Sequence, residues 1–320
     1  MKNPFVKLLV VLLVIVGVVS LIRMGFKDRG EEKMIISKNG ILQLELEGVI
    51  MNGKKFLKNL KKYREDKNVK AILVVIDSPG GSVGPSQEIY TELLRTRTEF
   101  KLPVICVSNG LVASGAYYSA AACDKLVVAK GALVGSIGVI MSFANLEKLY
   151  DWAKVTRYSI TSGKFKDSGA EYRAMRSDEK ELFQSMINDV FAQFKADIVA
   201  ARKMKPAVVD QFADGRVFTG AKAVELGFAD KIGSYQDAVN LTAEIAGLGK
   251  DYEVFEVPKK KRSIFDFGTE DHEDPLNSVN ENTKIFGLFN QAPTAKDLVK
   301  EFFKSQSLNQ PVLLMPGYWL

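Results

Sequence analysis

Asp77-Ser78-Pro79-Gly80-Gly81-Ser82 follows directly on an apolar run at residues 71–76, and Ala113-Ser114-Gly115-Ala116 comes later in the chain. The first reads as a buried strand opening into a turn whose glycines leave backbone N–H groups bare. The second sets a serine among small residues just before a helix-like stretch at 116–123. Bare N–H groups and a serine at a helix start are two parts of an acyl-transfer site, an oxyanion hole and a nucleophile. The third part is a base. The chain contains one histidine, His272, in the acidic stretch 270–274, which argues against a Ser-His-Asp triad and makes a lysine the leading candidate. Lys164 and Lys166 flank Phe165 in Ser162-Gly-Lys-Phe-Lys-Asp167. A lysine amine with its ordinary pKa of about 10.4 is protonated at neutral pH, but burial in an apolar site can free it to take the serine proton.

Two further segments follow, Val134-Gly-Ser-Ile-Gly-Val139 and Ala213-Asp-Gly-Arg-Val-Phe-Thr-Gly220, the latter with Ala223 and Gly227 behind it. A Pro-Gly-Gly turn alone is common. The five motifs in this order resemble the signal peptide peptidase A family, in its short single-repeat bacterial form, over roughly residues 41–247. That resemblance implies an α/β fold of the Clp-protease/crotonase type, built from repeated ββα units. It implies Ser114 as nucleophile, Lys166 rather than Lys164 as base, and Ser136 as the hydroxyl that orients the lysine amine. The related Clp proteases use the residue after the nucleophile as an oxyanion donor, which implies the backbone N–H of Gly115 beside that of Gly81. Read alone, Ser114 is a helix cap, Lys166 a solvated loop lysine and Ser136 a turn serine between glycines. Asp77 and Ser78 are expected to shape the turn, and Asp214-Gly-Arg216 to be structural.

The family's substrates are signal peptides left in the membrane, and its implied assembly is a homo-oligomeric ring, an octamer, in which the serine of one chain meets the lysine of its neighbour. No cofactor or metal is expected. One histidine and two distant cysteines make no zinc cluster, and Gly-Lys-Phe-Lys lacks the glycine spacing of a phosphate-binding loop, so hydrolysis would be ATP-independent. Two rivals belong to other classes. A crotonase-type acyl-CoA enzyme would share the fold and oxyanion hole but have no use for Ser114, Lys166 and Ser136 together. A catalytically silent membrane scaffold would share the fold alone.

The chain has 320 residues, 47% hydrophobic and 26% charged, which fits one domain with appendages. We divide it into a membrane anchor (1–30), a linker (31–40), a serine peptidase domain (41–250) and a linker with a C-terminal extension (251–320). Residues 5–26 are almost wholly apolar, interrupted by the charges of Lys7 and Arg23, and long enough to cross a bilayer core of about 30 Å as one transmembrane helix. Val16-Gly-Val-Val-Ser20 is a poor cleavage site, which favours a retained anchor over a signal peptide. Flanking charges are balanced, so the side of the membrane is not set by them; the resemblance implies a catalytic domain outside the cytoplasm. The net charge of +6 has a local source in the lysines of 54–70, the solvated face of an amphipathic helix, with attraction to anionic lipid as the alternative. No motif supports nucleic-acid binding.

Along the domain, residues 41–47 alternate as a half-exposed strand should. Strands at 71–76, 104–107 and 125–128 alternate with helices near 87–98 and after Ser114, which argues for βαβ units and a largely parallel sheet. An apolar stripe from Phe183 to Ile198 marks a long amphipathic helix, capped by Ser177 and ended by Pro206, whose stripe serves a core or a subunit contact. Cys106 and Cys123 are expected as buried thiols. The polar linker 259–283 precedes an apolar terminus, Pro311-Val-Leu-Leu-Met-Pro-Gly-Tyr-Trp-Leu320. Such a terminus needs a docking place, and we expect it in a substrate groove, with packing on the domain exterior or the bilayer surface as the alternatives.

Overall fold

The computed structural model describes residues 38–258 and the strand Val312–Leu314. The expected anchor, His272, the polar linker after 258 and the remaining C-terminal residues lie outside the described residues. Among the described residues no helix is long and apolar enough to cross a membrane.

Strand β2 (Val69–Ser82) organises the sheet. Its run 71–76 is apolar at every position because both faces are covered, the pattern of a parallel sheet with helices on each side. Ile72, Val74 and Ile76 face the larger core, while Ala71 and Leu73 face a smaller one. On one edge lies β1 (Gly40–Ile50), parallel, with Ile41 opposite Ala71 and Leu46 opposite Ile76. β1 in turn pairs with β9 (Glu253–Glu256), joining the two ends of the domain. On the other edge lies β3 (Val104–Ser108), followed by β5 (Lys125–Val128) and β8 (Lys231–Ile232), all parallel.

At Ser78 this second edge changes partner. Ser78 pairs with Val112 of β4 (Leu111–Ala113), which pairs with β6 (Leu133–Gly135), and β6 pairs antiparallel with β7 (Val217–Thr219). The result is a mixed α/β fold whose sheet curls away from one plane. The two residues of β2 before Pro79 and the glycines are tied down: the Asp77 carboxylate accepts the Leu111 N–H at 3.1 Å, and the Ser78 hydroxyl donates to the Gly48 carbonyl at 2.6 Å.

Helix α1 (Lys54–Tyr63) buries Phe56, Leu57, Leu60 and Tyr63 and leaves its lysines exposed, as the amphipathic pattern requires. Helix α2 (Val83–Thr98) starts four residues before the expected Gln87. Pro85 falls in its first turn, where a helix N–H has no intrahelical partner to lose, so Pro79-Gly-Gly runs as strand into helix rather than as a free turn. Helix α3 (Gly115–Ala121) is wholly buried. A short α4 (Glu147–Trp152) stands on an exposed stretch, and α5 (Ser177–Arg202) is the long amphipathic helix. Its cap is Arg176 rather than the expected Ser177, because the Glu179 carboxylate reaches back to the Arg176 N–H at 2.9 Å. Only the C-terminal half of its stripe enters the core, through Phe194 and Ile198, while Leu182 and Met186 are exposed. Helices α6 (Pro206–Phe212) and α7 (Gly220–Leu226) follow, and α8 (Tyr235–Ile245) covers the smaller core with Ala238, Val239 and Ala243.

The cysteines need a correction. Both are buried, but they are not separate thiols: the chain after α3 returns beside β3, the Asp124 N–H donating to the Val104 carbonyl at 2.7 Å, the Cα atoms of Cys106 and Cys123 lie 5.9 Å apart, and the sulfurs are bonded.

Close packing in the branch leaves a testable mark at Gly220. A Cβ there would sit 2.0 Å from the Ala129 carbonyl oxygen, so backbone must shift to admit it. Gly220→Ala is expected to cost about 1–3 kcal/mol, read as a lower denaturant midpoint at an unchanged slope.

Candidate active site

Ser114 stands where β4 ends and α3 begins. The chain turns there through φ 54°, ψ −119°, a conformation that costs a non-glycine residue about 1–3 kcal/mol. The turn is held by the Ser114 N–H donating to the Gly135 carbonyl at 2.7 Å and by the Tyr118 N–H donating to the Ser114 carbonyl at 2.8 Å. The side chain is fully buried, and its hydroxyl has no hydrogen-bond partner among the described residues. A capping serine would accept an N–H from the first turn of its helix, and Ser114 does not. An unmatched buried polar group costs about 1–3 kcal/mol more. Both terms oppose folding, so stability does not explain this serine.

Ser136 lies next to this turn, one residue beyond the carbonyl that holds Ser114. It is 3% exposed and also has a positive φ, 49°. Its N–H donates to the Arg216 carbonyl at 2.8 Å, and the Gly215 N–H donates to the Ile137 carbonyl at 3.0 Å. The Arg216 side chain folds onto Asp214, Nε to Oδ1 2.7 Å, and that guanidinium holds the Asp214 carboxyl down at about 2. Asp214-Gly-Arg216 is thus a clamp on the Ser136 loop. Sequence reading found the motif but not its use, because the contact arises only when β7 pairs with β6 across some eighty positions of chain.

The glycines at the end of β2 complete this side. A Cβ on Gly81 would meet the Ile50 carbonyl oxygen at 2.2 Å, and the Gly80 N–H is taken by the Ser78 hydroxyl at 3.2 Å. Asp77 and Ser78 therefore shape a strand end rather than the expected turn. Strand β10 (Val312–Leu314) runs antiparallel along it, Val312 opposite Ser82, Leu313 opposite Gly81 and Leu314 opposite Gly80, and it also lies beside α3. The apolar terminus does meet the glycine segment.

Lys166 is elsewhere. It is exposed in a tight turn, its N–H donating to the Gly163 carbonyl at 3.1 Å. Within one chain it makes no hydrogen bond to Ser114, and the burial expected for a neutral lysine is not met there. The segment that carries it is unusually apolar for a surface: Ile160 is 95% exposed, Trp152 80% and Tyr158 77%, with Leu149, Val155 and Phe165 also exposed. The structure thus brings together Ser114, Gly115 and Ser136, packs α3 against β2, the strand that ends in the glycines, and leaves Lys166 apart.

Residues 96–249 match the model of peptidase family S49. A Synechocystis protein named provisionally as a protease is 39% identical over 217 residues, 67% of this chain and 77% of the relative. An Enterococcus faecium protein, named provisionally as the signal peptide peptidase SppA, is 32% identical over 64% of this chain and 63% of its own length. The chloroplastic serine protease SPPA of Arabidopsis thaliana is 30% identical over 70% of this chain and 33% of its own. The chain therefore spans less than two thirds of the second of these relatives and about a third of the last. Among solved structures, a mutant of a membrane-bound stomatin-specific protease overlays 70% of this chain and 99% of its own at 16% identity and a TM-score of 0.45, too loose a likeness to argue from.

The turn bearing Lys166 hangs on Glu179, which is fully buried and held at about 2, chiefly by hydrogen bonds from Arg173. A depressed carboxyl stabilises the fold above its ordinary value of 4.5, and that contribution fades as pH falls toward about 2. Melting temperature is expected to fall across this window in the unaltered protein. Glu179→Gln should melt lower at neutral pH and lose less between pH 4.5 and 2.

Proposed function

Because the chain belongs to peptidase family S49, we propose that it is a serine endopeptidase with a Ser114/Lys166 dyad, cutting apolar peptides such as remnant signal peptides without ATP. The observation that carries this reading is the Ser114 hydroxyl, strained into place at a helix start, buried and unpartnered. In the proposed reaction a neutral Lys166 amine takes the hydroxyl proton as Ser114 Oγ attacks the peptide carbonyl. The N–H groups of Gly81 and Gly115 receive the oxyanion, and the helix start adds its positive end. The proton passes to the leaving amine as the acyl-enzyme forms, and the lysine then activates the water that releases the acid. Ser136 orients the amine. The curled α/β sheet agrees with a Clp-protease/crotonase type of fold.

The lysine comes from a neighbouring chain in this proposal. Support lies in the exposed position of Lys166, the apolar surface around it and the uncovered half of the α5 stripe, which together suit burial between copies in a ring, an octamer by family likeness. Burial there would also supply the apolar setting that a basic amine needs. The N-terminal apolar segment would anchor the ring in the cell membrane with the catalytic domain on the extracytoplasmic side. The antiparallel fit of β10 on residues 80–82 supports an extended substrate that binds as an added strand, with main-chain hydrogen bonds for affinity. An acyl-CoA enzyme of the same fold or a silent scaffold would not react with a fluorophosphonate probe; the peptidase should be labelled at Ser114.

Ser114→Ala and Lys166→Ala are each expected to abolish peptide hydrolysis while keeping the melting transition, since members of such a unit do not act additively. Retention of most activity by Lys166→Ala, with Lys164 intact, would overturn the base assignment. Mixing the two inactive variants should restore partial activity if sites are shared, and no recovery despite demonstrated subunit exchange would place each site within one chain.

Truncation after Gln310 tests the terminus. If residues 312–314 compete with substrate on the glycine strand, the truncated protein has a lower apparent KM at unchanged kcat, because a tether holds a competitor at roughly millimolar effective concentration. Unchanged kinetics with weaker vesicle association would assign the terminus to the membrane surface instead.

A further inference from the structure

Lys166 sits on a turn with no helix or strand of its own, yet its neighbours in sequence are held by a dense set of charged contacts. Arg173 uses its whole guanidinium. Nη1 and Nη2 grip the two oxygens of Glu179 at 2.9 and 2.6 Å, Nη2 also donates to the Asp167 carbonyl at 3.0 Å, and Nε reaches the Asp167 carboxylate at 3.3 Å. Arg176 holds the other side, its Nη2 donating to the Lys164 carbonyl at 2.8 Å and pairing with Glu179 at 2.9 Å. The Lys164 ammonium is tied to Asp178 at 2.7 Å. The backbone is therefore pinned at 164 and at 167, on both sides of Lys166. Among the described residues the Lys166 side chain itself is left unengaged. Glu179 is fully buried at the start of α5, so the clamp is referred to a fixed point of the fold rather than to solvent.

We propose that Arg173 is the positioning residue for Lys166: locked by Glu179, its guanidinium fixes the 164–167 turn so that Lys166, unlike Lys164 in the same turn, is presented outward to a serine. The proposal rests on the Ser114/Lys166 reading above. The chemistry supports an arginine here and not a lysine. Spanning both oxygens of one carboxylate and a backbone carbonyl in one plane requires the rigid fork of a guanidinium; an ammonium is a point charge that satisfies one of them. The geometry matters to rate because a base displaced by about 1 Å can cost on the order of a hundredfold. The alternative is that Arg173 serves only the helix start, through the Glu179 carboxylate that caps it.

The test uses full-length protein in detergent with a peptide substrate, comparing Arg173→Gln, Arg173→Lys and Lys166→Ala for kcat, KM and melting temperature. Arg173→Gln should lower kcat about tenfold to a hundredfold with KM within about twofold, and Arg173→Lys should recover part of kcat. In mixing experiments Arg173→Gln should be restored by Ser114→Ala protein, which supplies an intact lysine turn, and not by Lys166→Ala protein. A normal kcat in Arg173→Gln together with a lowered melting temperature would overturn the proposal in favour of helix capping alone. Equal restoration by both partners would overturn it too. If Arg173→Gln does not fold, Arg173→Lys with an intact melting transition carries the same comparison. Activity in Lys166→Ala would sink the dyad reading itself, whereas an inactive Lys166→Ala beside a fully active Arg173→Gln would sink only the role of Arg173.

Discussion

One edge of a strand can serve only one neighbour at a time, and β2 changes neighbour at Ser78. That exchange is the constraint on which the rest of the domain depends. Below it, β2 pairs with β3 and belongs to a parallel sheet covered on both faces. Above it, β2 pairs with β4, and the sheet curls to bring Ala113 and Gly135 side by side. Both edges are matched locally at this level, the Leu111 N–H by the Asp77 carboxylate on the side of the exchange, and the Gly48 carbonyl, at the register shift of β1 on the other side, by the Ser78 hydroxyl. The turn at Ser114 exists because two strands of the branch end at the same level and α3 must start at once.

The unfavourable terms are concentrated at that level. Positive φ angles at Ser114 and Ser136 fall on the two strand ends that lie together, and the unmatched Ser114 hydroxyl is between well-packed elements. Around them α3 is fully buried, with Tyr118 stacked on Phe194 at 4.4 Å and Tyr117 bonded through its hydroxyl to the Phe228 carbonyl at 2.9 Å. A rigid surround of this kind is what lets a strained turn persist. The lysine turn is organised in another way. It has little apolar packing, and a charged network anchored on one buried carboxylate gives it a fixed shape.

The parts of the fold that could be read from the sequence were those with a local cause. The both-faces-apolar run at 71–76 and the four apolar residues of α1 have the expected structure, since burial pattern alone dictates them. Residues 41–47 form the expected strand but are exposed only at Glu45 and Glu47, because the smaller core covers Ile41 and Gln43 is buried beside it. Ser114 was legible as a serine at a helix start, though not as a strained and unpaired one, because φ is set by the pairing of β4 with β6. Two misses were local in sequence but turned on side-chain geometry: α2 starts early because Pro85 enters its first turn, and α5 is capped by Glu179 reaching back to Arg176. Arg173 is of the same kind, its partners Asp167 and Glu179 lying six residues to either side. The Cys106–Cys123 bond and the use of Asp214-Gly-Arg216 were nonlocal, since they arise only once β5 pairs with β3 and β7 with β6.

The pairing of β1 with β9 sets the order in which this molecule can be made. Gly40 to Gln43 wait for Glu253 to Glu256, a separation close to the full length of the domain. Contacts of such high order form late, because the entropy of closing the intervening chain must be met before they contribute. On the ribosome β1 emerges early with one edge uncovered, and an uncovered apolar strand is a template for pairing with other chains. Until residue 256 has been synthesised the sheet has no lasting partner for that edge. The domain therefore completes its folding after translation of nearly all of it, as one cooperative unit rather than strand by strand.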